Sequence, residues 1–367
     1  MTHMELNILY NKAIAGKEIT CDEALFLYEK APLNELLNLA NKIRFIKNPG
    51  NKVSWQIDRN VNYTNVCISG CKFCNFHCKI SKKEVSYITT PQEYRNKIDQ
   101  LFMYGGDQLL LQGGLHPELD IIFYEELFRR LKREYPTLKL NALGPPEVFH
   151  IARISNLPVE DTLKRLIDAG LDTLPGAGAE ILSDRVRKIL SPAKPGVNAW
   201  VKVMECAHKL GLGTTATMVY GHIETIKERI EHLILLRNIQ NKRPTGAPGF
   251  RAFICWPMQT EGTKLAQMEQ MSGVIAPDAI EHLKMVAISR IVLNNIHHIQ
   301  ASWLTIGMEI AQLALHSGAD DMGSIMIEEN VVSSAGAENR TDATGIQNAI
   351  KEAGFVPWLR NQDYSPR

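Results

Sequence analysis

No stretch of this 367-residue chain stays apolar over the ~18 consecutive residues that a bilayer-spanning helix needs, so no membrane anchor of that kind is expected. Charge of one sign is lacking too. The 41 lysines and arginines stand against 40 aspartates and glutamates, for a formal net charge of +1. That balance argues against a dedicated nucleic-acid or membrane-surface binder. The start of the chain has no charged segment followed by an apolar core, so no secretory signal is expected. Cysteine is sparse, at seven residues, with three gathered in one short run. This suggests a reducing compartment rather than a disulfide framework, and a cytoplasmic protein is expected. There is no short internal repeat and no low-complexity segment. What remains is an ordinary globular composition, 45% hydrophobic and 22% charged, long enough for one large domain or two ordinary ones.

Residues up to about Asn48 read as short helices. Thr20 is placed to cap one of them with Glu23 three residues on, and Cys21 reads as a small core residue. Pro49-Gly50 ends this section, and Val53–Ile57 is a short strand candidate. From there β-branched runs alternate with stretches of helical period. The strand candidates are 62–67, 108–112, 138–143, 173–175, 214–220, 251–256, 299–304 and 322–326. The helical stretches include 91–104, 124–135, 159–169, 200–210, 226–240 and 278–296. Eight strand–helix units over about 270 residues predict an α/β fold, a (β/α)8 TIM-type barrel, complete or slightly open, with an N-terminal helical extension. The expected organisation is an extension over residues 1–52, the barrel over 53–335, and a C-terminal helix and tail over 336–367, with the tail from Trp358 loosely ordered.

The central motif is Cys67-Ile-Ser-Gly-Cys71-Lys-Phe-Cys74. Three thiolates at C-x3-C-x2-C spacing suit three irons of a cubane [4Fe–4S] cluster, since soft sulfur selects Fe–S or zinc. The fourth iron is then open to chelation by a small molecule. Zinc, the competing occupant, usually wants a fourth ligand and paired C-x2-C knuckles. Cys78 extends the spacing and reads as a bystander. Active sites of parallel barrels sit at the carboxyl ends of the strands, and the other unusual strings fall there. They are Gln112-Gly113-Gly114 with His116 and Glu118 nearby, Gly144-Pro-Pro-Glu147, Gly176-Ala-Gly-Ala-Glu180, Tyr220-Gly-His222-Ile-Glu224 and Gln300-Ala-Ser302-Trp303. Glycines let a backbone approach a ligand. His222 can move a proton near neutral pH, with Glu224 orienting it, so this pair is the catalytic candidate. Glu180 is expected to open a helix. Arg185, Arg187, Arg251, Ser302, Asp320 and Asp321 complete the ring of candidates.

The cysteine run resembles the radical S-adenosylmethionine (SAM) superfamily. Together with Asn62-Tyr-Thr-Asn-Val-Cys67, Gln112-Gly-Gly, Gly144-Pro-Pro-Glu147, Gly176-Ala-Gly-Ala-Glu-Ile-Leu182, Ala216–His222, Gln300–Trp303 and Glu328-Glu-Asn-Val-Val332, the chain resembles the cyclic dehypoxanthinyl futalosine synthase family over roughly residues 40 to 355. That resemblance implies Cys67, Cys71 and Cys74 as cluster ligands. It implies S-adenosyl-L-methionine as second cofactor, with Phe73 on its adenine, Gln112, Gly113 and Gly114 at its amino group, and Glu180 near its ribose or methionine end. It implies a menaquinone-pathway oxidoreductase. A 5′-deoxyadenosyl radical takes the ribose C4′ hydrogen of dehypoxanthine futalosine, and the resulting carbon radical closes on the aromatic ring. The implied partners are that small-molecule substrate and an electron donor such as flavodoxin or ferredoxin. The alternatives within the resemblance are aminofutalosine synthase or an F0 synthase-like transferase.

Overall fold

The computed structural model describes residues 2–367. Its sheet has ten strands, β1 (Lys52–Gln56), β2 (Asp58–Asn62), β3 (Gln108–Gln112), β4 (Lys139–Ala142), β5 (Thr173–Leu174), β6 (Gly213–Tyr220), β7 (Gly249–Pro257), β8 (His298–Gln300), β9 (Asp321–Ser324) and β10 (Val356–Leu359). They follow the order β10-β1-β9-β8-β7-β6-β5-β4-β3-β2, and every pairing is parallel. Helices lie between successive strands from β2 onward, as parallel crossovers require. The sheet curls back on itself. Asn60 N–H donates to Ile327 O at 3.0 Å and Ile327 N–H to Asp58 O at 3.2 Å, which ties the exit of β9 to β2. This is a TIM-type barrel with a loosely bridged seam.

The first barrel strand differs from the sequence expectation. It spans Asp58–Asn62, not Asn62–Cys67. Its residues are polar because alternate side chains of a barrel strand face the lumen. Asp58, Asn60 and Asn62 line the central cavity, while Arg59 points outward to the Glu328 carboxylate at 2.6 Å. The expected run Ile299–Leu304 is also divided: β8 ends at Gln300 and a short helix starts at Trp303.

The tail is not loosely ordered. β10 pairs with β1 in the register Lys52↔Val356 to Trp55↔Leu359. Arg360 then closes the floor of the barrel, donating to Asp321 at 2.5 Å and to Gln56 Oε1 at 2.6 Å. Tyr364 stacks on His298 with ring centroids 3.7 Å apart. The N-terminal helices Thr2–Ile14, Cys21–Lys30 and Leu33–Lys47 pack on the barrel, the third against the helix Ala279–Val292. Thr20 and Glu23 form a reciprocal capping box. Among the described residues no helix is long and apolar enough to cross a membrane.

Candidate active site

A cavity of about 430 Å³ occupies the barrel lumen and opens at the carboxyl ends of the strands. Cys67, Cys71 and Cys74 line it; Cys78 does not. Main-chain bonds fix the cysteine loop. Cys67 N–H donates to Cys78 O at 3.0 Å, Cys78 N–H to Asn65 O at 2.9 Å, and Lys72 N–H to Leu190 O at 2.9 Å. Donors surround the sulfurs. Leu115 N–H reaches Cys67 Sγ at 3.2 Å, and the Ser69 hydroxyl lies 2.9 Å from Cys67 Sγ and 3.3 Å from Cys71 Sγ. Three soft donors on one wall, with a backbone N–H and a hydroxyl beside them, fit a cluster held by three cysteines.

The glycine turn does more than admit a ligand. A Cβ on Gly114 would sit 2.1 Å from Val66 O and 2.8 Å from Cys67 Cβ, and one on Gly113 would sit 2.8 Å from the Tyr63 ring. The absent side chains let β3 press directly against the cysteine loop. Gln112, Gly113 and Gly114 nonetheless line the cavity, as do Phe73 and Glu180. Gln112 Nε2 is tied to Leu143 O at 3.2 Å.

Glu180 does not open a helix. It sits in a loop at φ +41°, four residues before the helix Asp184–Leu190. Its carboxylate is 2.8 Å from Lys194 Nζ and 3.5 Å from Arg187. Burial opposes ionisation there, yet the Lys194 and Arg187 charges hold the carboxyl below its ordinary range. Arg187 also donates to Gly178 O and Ala179 O at 2.9 and 3.0 Å, so this guanidinium pins the loop that carries Glu180. Lys194 lies 5.4 Å over the Phe73 ring. Burial works against its charge, but Cys71 and Glu180 together raise its pKa above that of an ordinary lysine.

His222 and Glu224 are not brought to the cavity. Neither lines it, and both side chains are fully enclosed. His222 Nε2 meets the Val219 carbonyl at 3.0 Å, which only a donor satisfies, and Nδ1 lies 2.8 Å from Glu224 Oε2. Glu224 also takes the N–H groups of Gly221 and His222 at 2.6 and 2.9 Å and Arg229 Nε at 2.7 Å. Burial raises the Glu224 carboxyl, and the His222 hydrogen bond, the His222 and Arg229 charges and the Gly221 N–H outweigh it, leaving the group well below the usual range. The pair braces the turn after β6 and does not face the cavity.

Other candidates divide in the same way. Ser302 lines the cavity. Asp320 and Asp321 lie at the amino end of β9, on the opposite face of the barrel. Asp320 is bonded to Arg290 and His298, and Asp321 to Arg360 and Ser54. Arg251 is likewise near the start of β7 and reaches Asp363 O. Arg185 pairs at the surface with Glu228. His116 is buried, donates its N–H to Gly114 O and accepts from Glu118 N–H.

Sequence reasoning missed two groups in the cavity wall. Glu147 stands in the first turn of the helix Pro145–Ile154, started by prolines suited to that place. Its Oε1 accepts Gly113 N–H and Tyr63 O–H, both at 3.1 Å. Burial raises it to about 7, against the Gly113 and Tyr63 hydrogen bonds and the Lys194 charge. The string Gly144-Pro-Pro-Glu147 was the available signal. Lys194 had none, since it lies in an unpatterned connection between two helices.

A radical SAM superfamily model matches residues 61–236, and the CofH/MqnC C-terminal region matches residues 247–367. The chain is 43% identical to a cyclic dehypoxanthine futalosine synthase of Streptomyces coelicolor, over 98% of this chain and 88% of that one. It is 37% identical to a protein of the same name from Halalkalibacterium halodurans, over 98% and 95%. It is 38% identical to a 5-amino-6-(D-ribitylamino)uracil–L-tyrosine 4-hydroxyphenyl transferase of Methanosarcina acetivorans, over 97% and 92%. Among solved structures, methylornithine synthase superposes with a TM-score of 0.70 at 21% identity, covering 95% of this chain and 97% of that one. The FeFe-hydrogenase maturase HydG of Carboxydothermus hydrogenoformans gives 0.73 at 15% identity, covering 99% and 81%. These two share the fold. On its cysteine loop, its barrel and its full-length relatives, the chain belongs to the radical SAM superfamily and, within it, to the CofH/MqnC family.

Proposed function

We propose that this protein is a radical SAM cyclase that converts dehypoxanthine futalosine to cyclic dehypoxanthine futalosine in menaquinone biosynthesis. The observation that carries the reading is the 43% identity, over almost the whole chain, to a synthase of that name. Cys67, Cys71 and Cys74 hold the cluster, and Phe73, the 112–114 turn and Glu180 hold SAM. When bound, cluster and SAM supply a 5′-deoxyadenosyl radical that takes hydrogen from ribose C4′.

The chain's own work is mostly positioning. Gly114, pressed on Val66, fixes the distance between the glycine turn and the cysteine loop. Arg187 holds the 178–180 backbone so that Glu180 faces the cavity. Lys194 puts a cation beside Glu180 and Cys71, where it would offer a positive charge to the carboxylate of a bound SAM. Ring closure must end in loss of one electron, which a bound cluster would accept, and of one proton from the aromatic ring. Glu147 takes the proton, since its carboxyl lines the cavity with a proton affinity near neutrality, where a general base works best. Residues 53–335 form the barrel, 1–52 an extension, and 336–367 the segment that seals its floor. An electron donor such as flavodoxin or ferredoxin reduces the cluster. Thiolate-bound iron suits the reducing cytoplasm.

The test is incubation of the reconstituted enzyme with dehypoxanthine futalosine, SAM and a reductant, read by product mass. A spirocyclic product two hydrogens lighter than the substrate, with one 5′-deoxyadenosine per product, supports the reading. A second reading, aryl transfer from tyrosine, is favoured by the 38% identity to the Methanosarcina transferase. Incubation with tyrosine and 5-amino-6-(D-ribitylamino)uracil separates the two.

A further inference from the structure

The segment that wraps the outside of the cysteine loop carries an unusual surface. Lys79, Lys82 and Lys83 are all exposed, with Glu84 the one acid among residues 79–85. Among the described residues none of the three forms an ion pair. In a chain whose net charge is only +1, this is a local concentration of free positive charge. Apolar side chains stand among the lysines. Val85 is 53% exposed, and Ile68, Ile80, Tyr87 and Ile88 are exposed as well.

The segment is also held firmly to the loop beneath it. The Asn65 side chain donates to Val85 O at 2.9 Å and accepts Tyr87 N–H at 3.0 Å. The Thr64 hydroxyl donates to Tyr87 O at 2.6 Å. Cys78, at the start of the segment, is bonded through its main chain to Cys67 and Asn65. A molecule resting on this surface is therefore placed rigidly next to the thiol-bearing loop. Unpaired lysines around exposed aliphatic groups suit a small, transient contact in which charge steers the encounter and little area is buried.

We propose that residues 79–88, together with Ile68, form the docking face for a small acidic protein that carries a one-electron redox centre. The proposal rests on the cluster reading given above, because the loop to which this segment is bonded is the one whose Cys67, Cys71 and Cys74 would hold the cluster. Charge complementarity selects an acidic partner. Closeness to the thiols selects one that delivers electrons. One electron passes from the reduced carrier to the oxidised cluster, and the carrier leaves one electron poorer.

The experiment follows cluster reduction in the reconstituted enzyme by stopped flow, with flavodoxin hydroquinone as the probe. For the unmodified enzyme the bimolecular rate should fall as salt is raised from roughly 0.05 to 0.5 M, because the screening length shrinks across that range. The triple variant Lys79→Glu/Lys82→Glu/Lys83→Glu should be slower by about tenfold or more at low salt. Its turnover should match the unmodified enzyme when both have been pre-reduced with dithionite. A rate with flavodoxin that ignores both salt and the three reversals overturns the proposal. Should the variant lose its dithionite-driven turnover, the salt series on the unmodified enzyme decides alone. Absence of 5′-deoxyadenosine from the dithionite-reduced unmodified enzyme would instead sink the cluster reading itself.

Discussion

The Glu147 carboxylate accepts the backbone N–H of Gly113 at 3.1 Å, so a buried acid in the first turn of the helix after β4 is bonded to the glycine turn that follows β3. Replacing it by glutamine keeps the size and one acceptor but removes the base. Glu147→Gln is expected to lower cyclic product by on the order of 10²- to 10⁴-fold while 5′-deoxyadenosine continues to form. Parallel loss of both products would place Glu147 in SAM binding instead.

The same residue gives a pH dependence. Burial lifts Glu147 to about 7, above its unfolded value, so between those two values the folded chain binds the extra proton. Its contribution to stability is then complete at low pH and is lost as pH rises through about 7. Product formation runs the other way, rising with pH as the base ionises. The difference in melting temperature between Glu147→Gln and the unmodified protein should shift in the variant's favour from acid to neutral pH. An unchanging difference would refute the assignment.

Gly114→Ala probes the contact between turn and cysteine loop. Its Cβ would lie 2.1 Å from Val66 O, and a backbone atom cannot swing aside. Circular dichroism should show the barrel intact. Iron bound after reconstitution should fall well below the roughly four per chain of a cubane. Full iron loading would show that the loop has slack.

Arg360→Ala leaves the buried Asp321 without its guanidinium partner beneath the barrel. Loss of one partner of a buried pair costs about 3–5 kcal/mol, to be read as a lower urea midpoint. If the tail were loosely ordered, the midpoint would stay put.

His222→Asn breaks the brace after β6. It should cost about 1–3 kcal/mol of stability yet leave the extent of single-turnover product within a few-fold of the unmodified enzyme. Loss of product without loss of stability would return His222 to the chemistry.

The barrel could be read from the sequence because most of its strands are apolar runs closed by glycine or proline, as at Leu109–Leu111 and Ala216–Met218. β2 could not: Asp58, Asn60 and Asn62 are polar because they face the lumen, and polarity reads as loop. The cysteine spacing located one wall of the cavity. Strand-end position alone misdirected His222 and Glu224, since it fixes where a Cα lies and not where its side chain turns. Glu180, expected to open a helix, is instead held in a loop at φ +41°, a backbone turn that side-chain pattern does not signal. Lys194 became visible only when the 191–196 connection folded against Phe73 and Cys71.

Cys78 touches the cysteine loop through its own amide and carbonyl, and its sulfur is absent from the cavity wall. The position therefore supplies an address and not a ligand. Its side chain is free to vary with little consequence, whereas a proline there would delete the amide that anchors the wrap and unfasten the lysine-bearing segment from the loop it covers.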